Sequence, residues 1–339
     1  MLETIKYLIG WPGPSGFGSK STAEQVTEIR GELRSITAII TGGTSGIGAE
    51  TARVLASRGA RVILPARSMK NAEETRDKIV TECPEAEIIV MKLDLSSLNS
   101  VTNFVDRFHS LGFPLHILIN NAGKFAEEHT ISEDGLEMTF ATNYLGHFLL
   151  TKLLMKTMVE TAEKTGIQGR IVNVTSAIHK WFTDDVISYL ALISHDKSHF
   201  DATRAYTLSK LANVLHTTEL ASRLKQMDAN VTVNCLHPGV VRTRLTRERD
   251  GFLTDLVFFL ASKLLKTLPQ AAATTCYVAT HPRLFNVSGK YFMDCNEASS
   301  SKLGSNSIEA SRLWDFSELI ISKGSKAAFD QFHHNHLEF

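Results

Sequence analysis

The sequence predicts a single α/β domain in which a doubly wound, seven-stranded parallel sheet carries helices on both faces. Three observations predict it. Short apolar runs alternate with longer amphipathic ones from Ser35 onward, the first run opens into a glycine-rich turn, and no Gly/Ser-rich or Pro-rich linker divides the chain. Such alternation reads as strands joined by crossover helices, with both sheet faces covered. The 339 residues are enough for one large core.

Residues 1–34 form an N-terminal extension. Its first ten residues carry Glu3 and Lys6 and break at Trp11-Pro12-Gly13-Pro14, without the basic start and long apolar centre of a secretory signal. The Ser/Thr-rich stretch 15–22 is compatible with a plastid-directed end. The domain proper spans 35–325. Strands are expected at 36–40, 61–65, 87–91, 116–119, 170–174, 230–235 and 290–293. Helices are expected at 47–57, 71–82, 98–110, 133–161, 202–226, 254–265, 270–279 and 312–322. Residues 244–269 read as a substrate lid and 326–339 as a flexible tail, so His333, His334 and His336 are assigned to a disordered end and no metal site is expected.

Composition narrows the function. Lys plus Arg balances Asp plus Glu at 36 each, and no block of like charge occurs, so a nucleic-acid partner is not expected. Cys83, Cys235, Cys276 and Cys295 are widely spaced without a CxxC, which points away from zinc and disulfides and toward a reducing compartment, cytoplasmic or plastid. No run of 18 apolar residues is present, so no spanning helix is expected.

The first strand leads into Thr41-Gly42-Gly43-Thr44-Ser45-Gly46-Ile47-Gly48 and then directly into a helix. Glycines here let the backbone turn sharply and approach a pyrophosphate, which meets free N–H groups and the helix dipole. Gly42, Thr44, Ser45, Gly46, Ile47 and Gly48 are therefore candidate cofactor contacts. The second strand ends at Arg67, where an NAD-binding domain would place a carboxylate on the ribose 2′-hydroxyl. With Ser68 and Lys70 beside it, Arg67 suits a 2′-phosphate, and NADP(H) is the expected cofactor; the bland alternative is a solvated surface charge. Asp94, followed by Leu95 past the third strand, can accept a hydrogen bond from the adenine amino group. The fourth strand ends in Asn120-Asn121-Ala122-Gly123, where the asparagines can bind backbone groups while Ala122 and Gly123 leave room for a cofactor.

Tyr206 and Lys210 lie four residues apart in an expected helix, so their side chains share one face. An ammonium beside a phenol favours the phenolate, and Tyr206 is expected to act as a general acid/base at a lowered pKa.

With the glycine turn, Asn120 to Gly123 and the Tyr206–Lys210 pair in this order, the chain resembles the short-chain dehydrogenase/reductase family from about Ser35 to Asp294, implying a Rossmann fold. Asn143-Tyr144-Leu145-Gly146-His147-Phe148, Gly169-Arg170-Ile171-Val172-Asn173-Val174-Thr175-Ser176 and Leu236-His237-Pro238-Gly239-Val240-Val241-Arg242-Thr243 are similar to its retinol-dehydrogenase-like branch. The stretch from Pro14 to Glu24 is similar to plant members related to the dehydrogenase associated with the chloroplast inner-envelope translocon, which implies a plant, chloroplast-envelope setting.

The resemblance implies that Ser176 hydrogen-bonds the substrate oxygen and that Tyr206 exchanges its proton. It implies that Lys210 holds the nicotinamide ribose and lowers the tyrosine pKa, and that Asn143 holds a relay water. Pro238, Gly239, Val241 and Thr243 would lie beside the nicotinamide amide and pyrophosphate. Taken singly, Ser176 also reads as a helix cap, Asn143 as a satisfied residue in a kinked helix and Lys210 as a surface lysine. The 30-residue gap from Ser176 to Tyr206 contains an insertion, 179–204, expected to overhang the pocket.

The stretch 252–266 is nearly apolar with lysines at one end. It reads as a lid on a greasy pocket, as a membrane-surface or dimer helix, or as a calmodulin-type target. Trp181, Phe182, Tyr189 and Phe125 would add aromatic walls, so the expected reaction is hydride transfer between NADP(H) and a lipophilic alcohol, aldehyde or ketone. The alternative is an NADP(H)-binding regulatory protein at the plastid envelope. A homodimer through the helices beginning near Glu133 and Ala202 is implied by the resemblance alone.

Overall fold

A computed structural model describes residues 2–28, 33–241 and 265–336. Helices α1 (Leu2–Ile9) and α2 (Ala23–Glu28) precede the domain. The alternating units follow as β1 (Thr37–Ile40), α3 (Gly46–Ser57), β2 (Arg61–Ala66), α4 (Met69–Glu82), β3 (Ile88–Lys92), α5 (Leu98–Ser110) and β4 (Ile117–Asn120). After β4 come the short α6 (Met138–Phe140), a π-helical turn (Ala141–Leu145) and α7 (Gly146–Thr165). Then come β5 (Gly169–Val174), a 3₁₀ turn (Ala177–Trp181), α8 (Val186–His195), α9 (Ala202–Gln226) and β6 (Val231–His237). The chain finishes with α10 (Leu268–Thr280), β7 (Tyr291–Met293), β8 (Asn296–Ala298), α11 (Ser307–Lys323) and α12 (Ser325–His336).

The sheet order is β3-β2-β1-β4-β5-β6-β7-β8. Pairs from β3 through β7 are parallel, and all four residues of β1 and all six of β5 are buried, as two covered faces require. One core face collects α5, α7, α8, α9 and α11 around Phe104, Phe108, Tyr144 and Phe148, and the other collects α2, α3 and α10. Pro65 within β2 is tolerated for a local reason. Its nitrogen lies on the side facing β1, whose pairing with β2 ends at Ile63, so the missing hydrogen falls at the end of that ladder and the pairing with β3 is kept. Strand order reverses between β1 and β4, and their carboxyl ends frame the crevice where such sheets bind ligands.

Several expectations need correction. An eighth strand, antiparallel to β7, extends the sheet. Asp294 and Cys295 both adopt left-handed conformations (φ 52 and 63), which makes the two-residue hairpin that the Asp-Cys dipeptide did not advertise. The helix expected over 133–161 begins only after Glu137, whose carboxylate accepts the N–H groups of Thr139 and Phe140, and it contains the π turn. The stretch 326–339, read as a flexible tail, forms α12 through His336, with Ala328 and Phe329 buried.

The extension is docked as well. Asn296 accepts the Ser15 N–H and donates to the Phe17 carbonyl, and the Phe17 ring packs edge-on against Tyr277 and His281. Helix α11 lies along α9, with Trp314 packed on Phe148 and His216, so this chain itself covers part of the surface implied for a dimer. Among the described residues no helix is long and apolar enough to cross a membrane, and no cluster of metal-ligating side chains occurs.

Candidate active site

The glycine turn is shaped by close approach. Gly42 has φ +66, and a Cβ there would stand 2.8 Å from the Ala122 Cα; at Gly48 one would stand 2.3 Å from the Gly42 carbonyl oxygen. Ser45 begins α3 in an extended conformation, but its exposed hydroxyl bonds no helix N–H, which leaves the amino end of α3 without a side-chain cap. Thr41 fastens the turn to the end of β4. Its Oγ1 accepts the N–H groups of Asn121 (2.9 Å) and Ala122 (3.0 Å), and Asn121 Nδ2 donates to the Thr41 carbonyl at 2.9 Å.

Arg67 is exposed just beyond β2, next to Ser68, the cap of α4, and the exposed Lys70. Asp94 Oδ1 accepts from the Ser96 N–H (3.0 Å) and hydroxyl (2.6 Å). Burial opposes ionisation of Asp94, yet the Ser96 bonds and the charges of Arg67 and Lys92 hold its carboxyl below the usual range. Leu95 is buried behind it. A tight backbone turn and a helix start without a side-chain cap fit the pyrophosphate of a nicotinamide dinucleotide.

The four residues assigned to chemistry sit past the carboxyl ends of β4 and β5 and on α9. Asn143 lies within the π turn and is fully buried. Its Oδ1 accepts the Lys124 N–H at 2.7 Å, and its Nδ2 donates to the Lys124 carbonyl (2.9 Å) and Ser209 Oγ (3.0 Å). The side chain is thus a clamp on the loop after Gly123, so the expected relay water would share the Asn143 backbone carbonyl with His147 Nδ1, 3.0 Å away. Ser176 caps the 3₁₀ turn, its Oγ accepting the Ile178 N–H at 3.4 Å, so the helix-cap reading and the substrate-facing one coexist. That turn packs against α9.

Lys210 is buried and donates to the Val174 carbonyl at 3.1 Å, with Nζ 5.5 Å from the centre of the Tyr206 ring. A Cβ on Gly123 would lie 3.4 Å from that Nζ and 3.9 Å from Asn143 Oδ1, so the glycine keeps the ammonium open to a ligand. The Tyr206 phenol is shifted up, not down as the Lys210 neighbour suggested. Burial pushes the Tyr206 phenol up to about 12 and the Lys210 ammonium down to about 8. Desolvation is the cause at both groups, most plainly at the buried Lys210, whose ammonium lies over the ring and bonds a carbonyl.

Phe125 stands 5.4 Å from the Tyr206 ring, as an aromatic wall should. The other expected walls do not serve: Phe182 and Tyr189 pack together inside the core, and Trp181 is 73% exposed. The insertion is a docked helix, with Asp185 paired to Arg312, Asp184 paired to Arg204 and His129 bonded to the Ile193 carbonyl. Pro238, Gly239 and Val241 follow β6. Gly239 is covered by the Lys266 side chain, which is buried and paired with Asp294 at 2.5 Å. Lys266 is therefore not free for a membrane or a calmodulin-type partner. Thr243 and lid residues through 264 lie outside the described residues.

Sequence reasoning gave no role to Thr41, His147 or Lys266. The first two stood inside quoted motifs, and their signal was a buried hydroxyl and a histidine at an otherwise apolar position.

This architecture and site define a class: the chain belongs to the short-chain dehydrogenase/reductase family. The short chain dehydrogenase profile matches residues 36–191. Among its relatives, Short-chain dehydrogenase TIC 32 B, chloroplastic, from Brassica napus is 45% identical over 320 residues, covering 94% of this chain and 99% of that one. Retinol dehydrogenase 12 from Bos taurus is 40% identical over 283 residues, covering 82% and 84%. A solved structure of an uncharacterized protein from Mycobacterium paratuberculosis superposes with a TM-score of 0.69 at 28% identity, covering 89% of this chain and 97% of that one.

Proposed function

We propose that this protein is an NADP(H)-dependent oxidoreductase acting on a lipophilic carbonyl or the corresponding alcohol. The observation that carries the reading is the Tyr206–Lys210 pair on α9, with the lysine buried and its ammonium 5.5 Å from the centre of the tyrosine ring beside the opening over Gly123. Bound NADP(H) would exchange hydride with the substrate carbon. The protein's own part is proton and charge management. Ser176 and Tyr206 meet the substrate oxygen; Tyr206, a protonated phenol at neutral pH, donates as that oxygen gains charge. Lys210, within reach of a ligand hydroxyl past Gly123, would balance the charge left on the phenolate.

Arg67 and the absence of a carboxylate at the end of β2 support the phosphorylated cofactor. The exposed Val240 and Met293, past β6 and at the carboxyl end of β7, together with Phe125, give an apolar rim that supports a lipophilic substrate. Likeness to chloroplastic Brassica dehydrogenases supports a chloroplast setting. The test is NADPH oxidation with decanal and all-trans-retinal, alongside titrations of NADPH and NADH against the protein and its Arg67→Ala variant. Turnover of either carbonyl, and an NADPH preference that falls about tenfold or more in the variant, are expected. Equal affinities for both cofactors in the unaltered protein would overturn the NADP(H) assignment.

A further inference from the structure

His147 lies in the first turn of α7 and is buried to 1% exposure. Its Nε2 is 2.8 Å from Thr41 Oγ1, and its Nδ1 is 3.0 Å from the Asn143 carbonyl oxygen. Donor counting settles which nitrogen carries the proton. Thr41 Oγ1 already accepts two N–H groups, from Asn121 and Ala122, so its own hydrogen must leave toward an acceptor. His147 Nε2 is the nearer acceptor, the Ile119 carbonyl standing at 3.4 Å. Nε2 is then bare, Nδ1 carries the hydrogen, and that hydrogen points at the Asn143 carbonyl.

One imidazole therefore joins two parts of the site that are distant in sequence. On one side is the Thr41 latch, which fixes the glycine turn against Asn121 and Ala122. On the other is the π turn, whose Asn143 clamps the loop after Gly123 beneath Lys210. We propose that His147 is a positioning residue that sets cofactor seating through Thr41 and proton delivery through the Asn143 carbonyl, as two separable arms of a single neutral ring. Burial, with a smaller push from the Lys210 charge, outweighs the opposing bond to the Asn143 carbonyl and brings the ring's pKa down to about 4, so the ring stays neutral across physiological pH. The inference rests on the oxidoreductase reading for its catalytic arm, but not for its cofactor arm.

Two amides separate the arms. In His147→Asn the short side chain can donate to the Asn143 carbonyl but does not reach Thr41; in His147→Gln the longer one can accept from Thr41 but withdraws from the Asn143 carbonyl. NADPH affinity is read by fluorescence titration, kcat by NADPH oxidation with decanal, and folding by thermal melts. His147→Asn is expected to weaken NADPH binding about tenfold with the smaller change in kcat, and His147→Gln to lower kcat about tenfold with the smaller change in affinity. A merely structural histidine would lower the melting temperature of both variants and move affinity and kcat together or not at all, and that result would overturn the assignment. If the unaltered protein binds NADPH but turns over no carbonyl, the oxidoreductase reading fails, while the contrast in NADPH affinity between the two variants still decides the Thr41 arm.

Discussion

At the scale of single residues, chemistry and stability pull against each other at Lys210. Its ammonium is dry, and its pKa of about 8 lies below the 10.5 of an exposed lysine. Above pH 10.5 the group is neutral folded or unfolded; as pH falls through 8 the folded protein must hold a charge that water would hold better, so this contribution to stability is lost. Tyr206 has the opposite sign, its contribution being intact below pH 10 and lost as pH rises toward 12. Lys210→Met should thus be more stable than the unaltered protein at pH 7, by at most on the order of 3 kcal/mol, less whatever the lost bond to Val174 contributed. The advantage should shrink as pH rises from 8 to 10.5, which denaturant melts in buffers across that range would show. A variant less stable at pH 7 would contradict the dry-site account. The residues themselves were legible because family chemistry fixes their type and spacing. The electrostatic balance was not, since desolvation depends on what packs around a group.

Elements show a similar division. The strands were readable because both faces of the sheet are buried and the runs are continuously apolar. The π turn at Ala141–Leu145 was not: it holds the same residue types as an α-helix, and the Asn143 clamp on Lys124 becomes evident only once the loop after β4 is in place. The strand β8 hid for another reason, its turn using Asp294 and Cys295 in place of glycine. Helix α11 was half seen, its cap and first turn missed, and its packing was not visible from sequence. Trp314 stands 4.8 Å edge-on from Phe148 and 5.6 Å from His216, with the Arg223 guanidinium 4.5 Å above its ring. Trp314→Ala should cost about 3–5 kcal/mol of unfolding free energy in urea melts. A loss under about 1 kcal/mol would mean that α11 is not integral to the core.

For the whole molecule, the sheet brings its carboxyl ends together at one rim and puts the reactive groups there. The glycine turn comes from β1, Arg67 from β2, Asp94 from β3, the Asn121–Gly123 loop from β4, Ser176 from β5 and the Pro238–Val241 loop from β6. Helices fix the rest, with the π turn and α7 presenting Asn143 and His147 and α9 presenting Tyr206 and Lys210. The N-terminal extension and the C-terminal helices close the flanks of that framework rather than trailing from it. The central claim is that this rim exchanges a proton through Tyr206 while an NADP(H) cofactor exchanges hydride. The most direct measurement is a side-by-side comparison of the unaltered protein and Tyr206→Phe, with NADPH affinity by fluorescence and NADPH oxidation driven by decanal. The account predicts affinity within about twofold and a fall in kcat of about 10²-fold or more. Comparable turnover by the two proteins would contradict it.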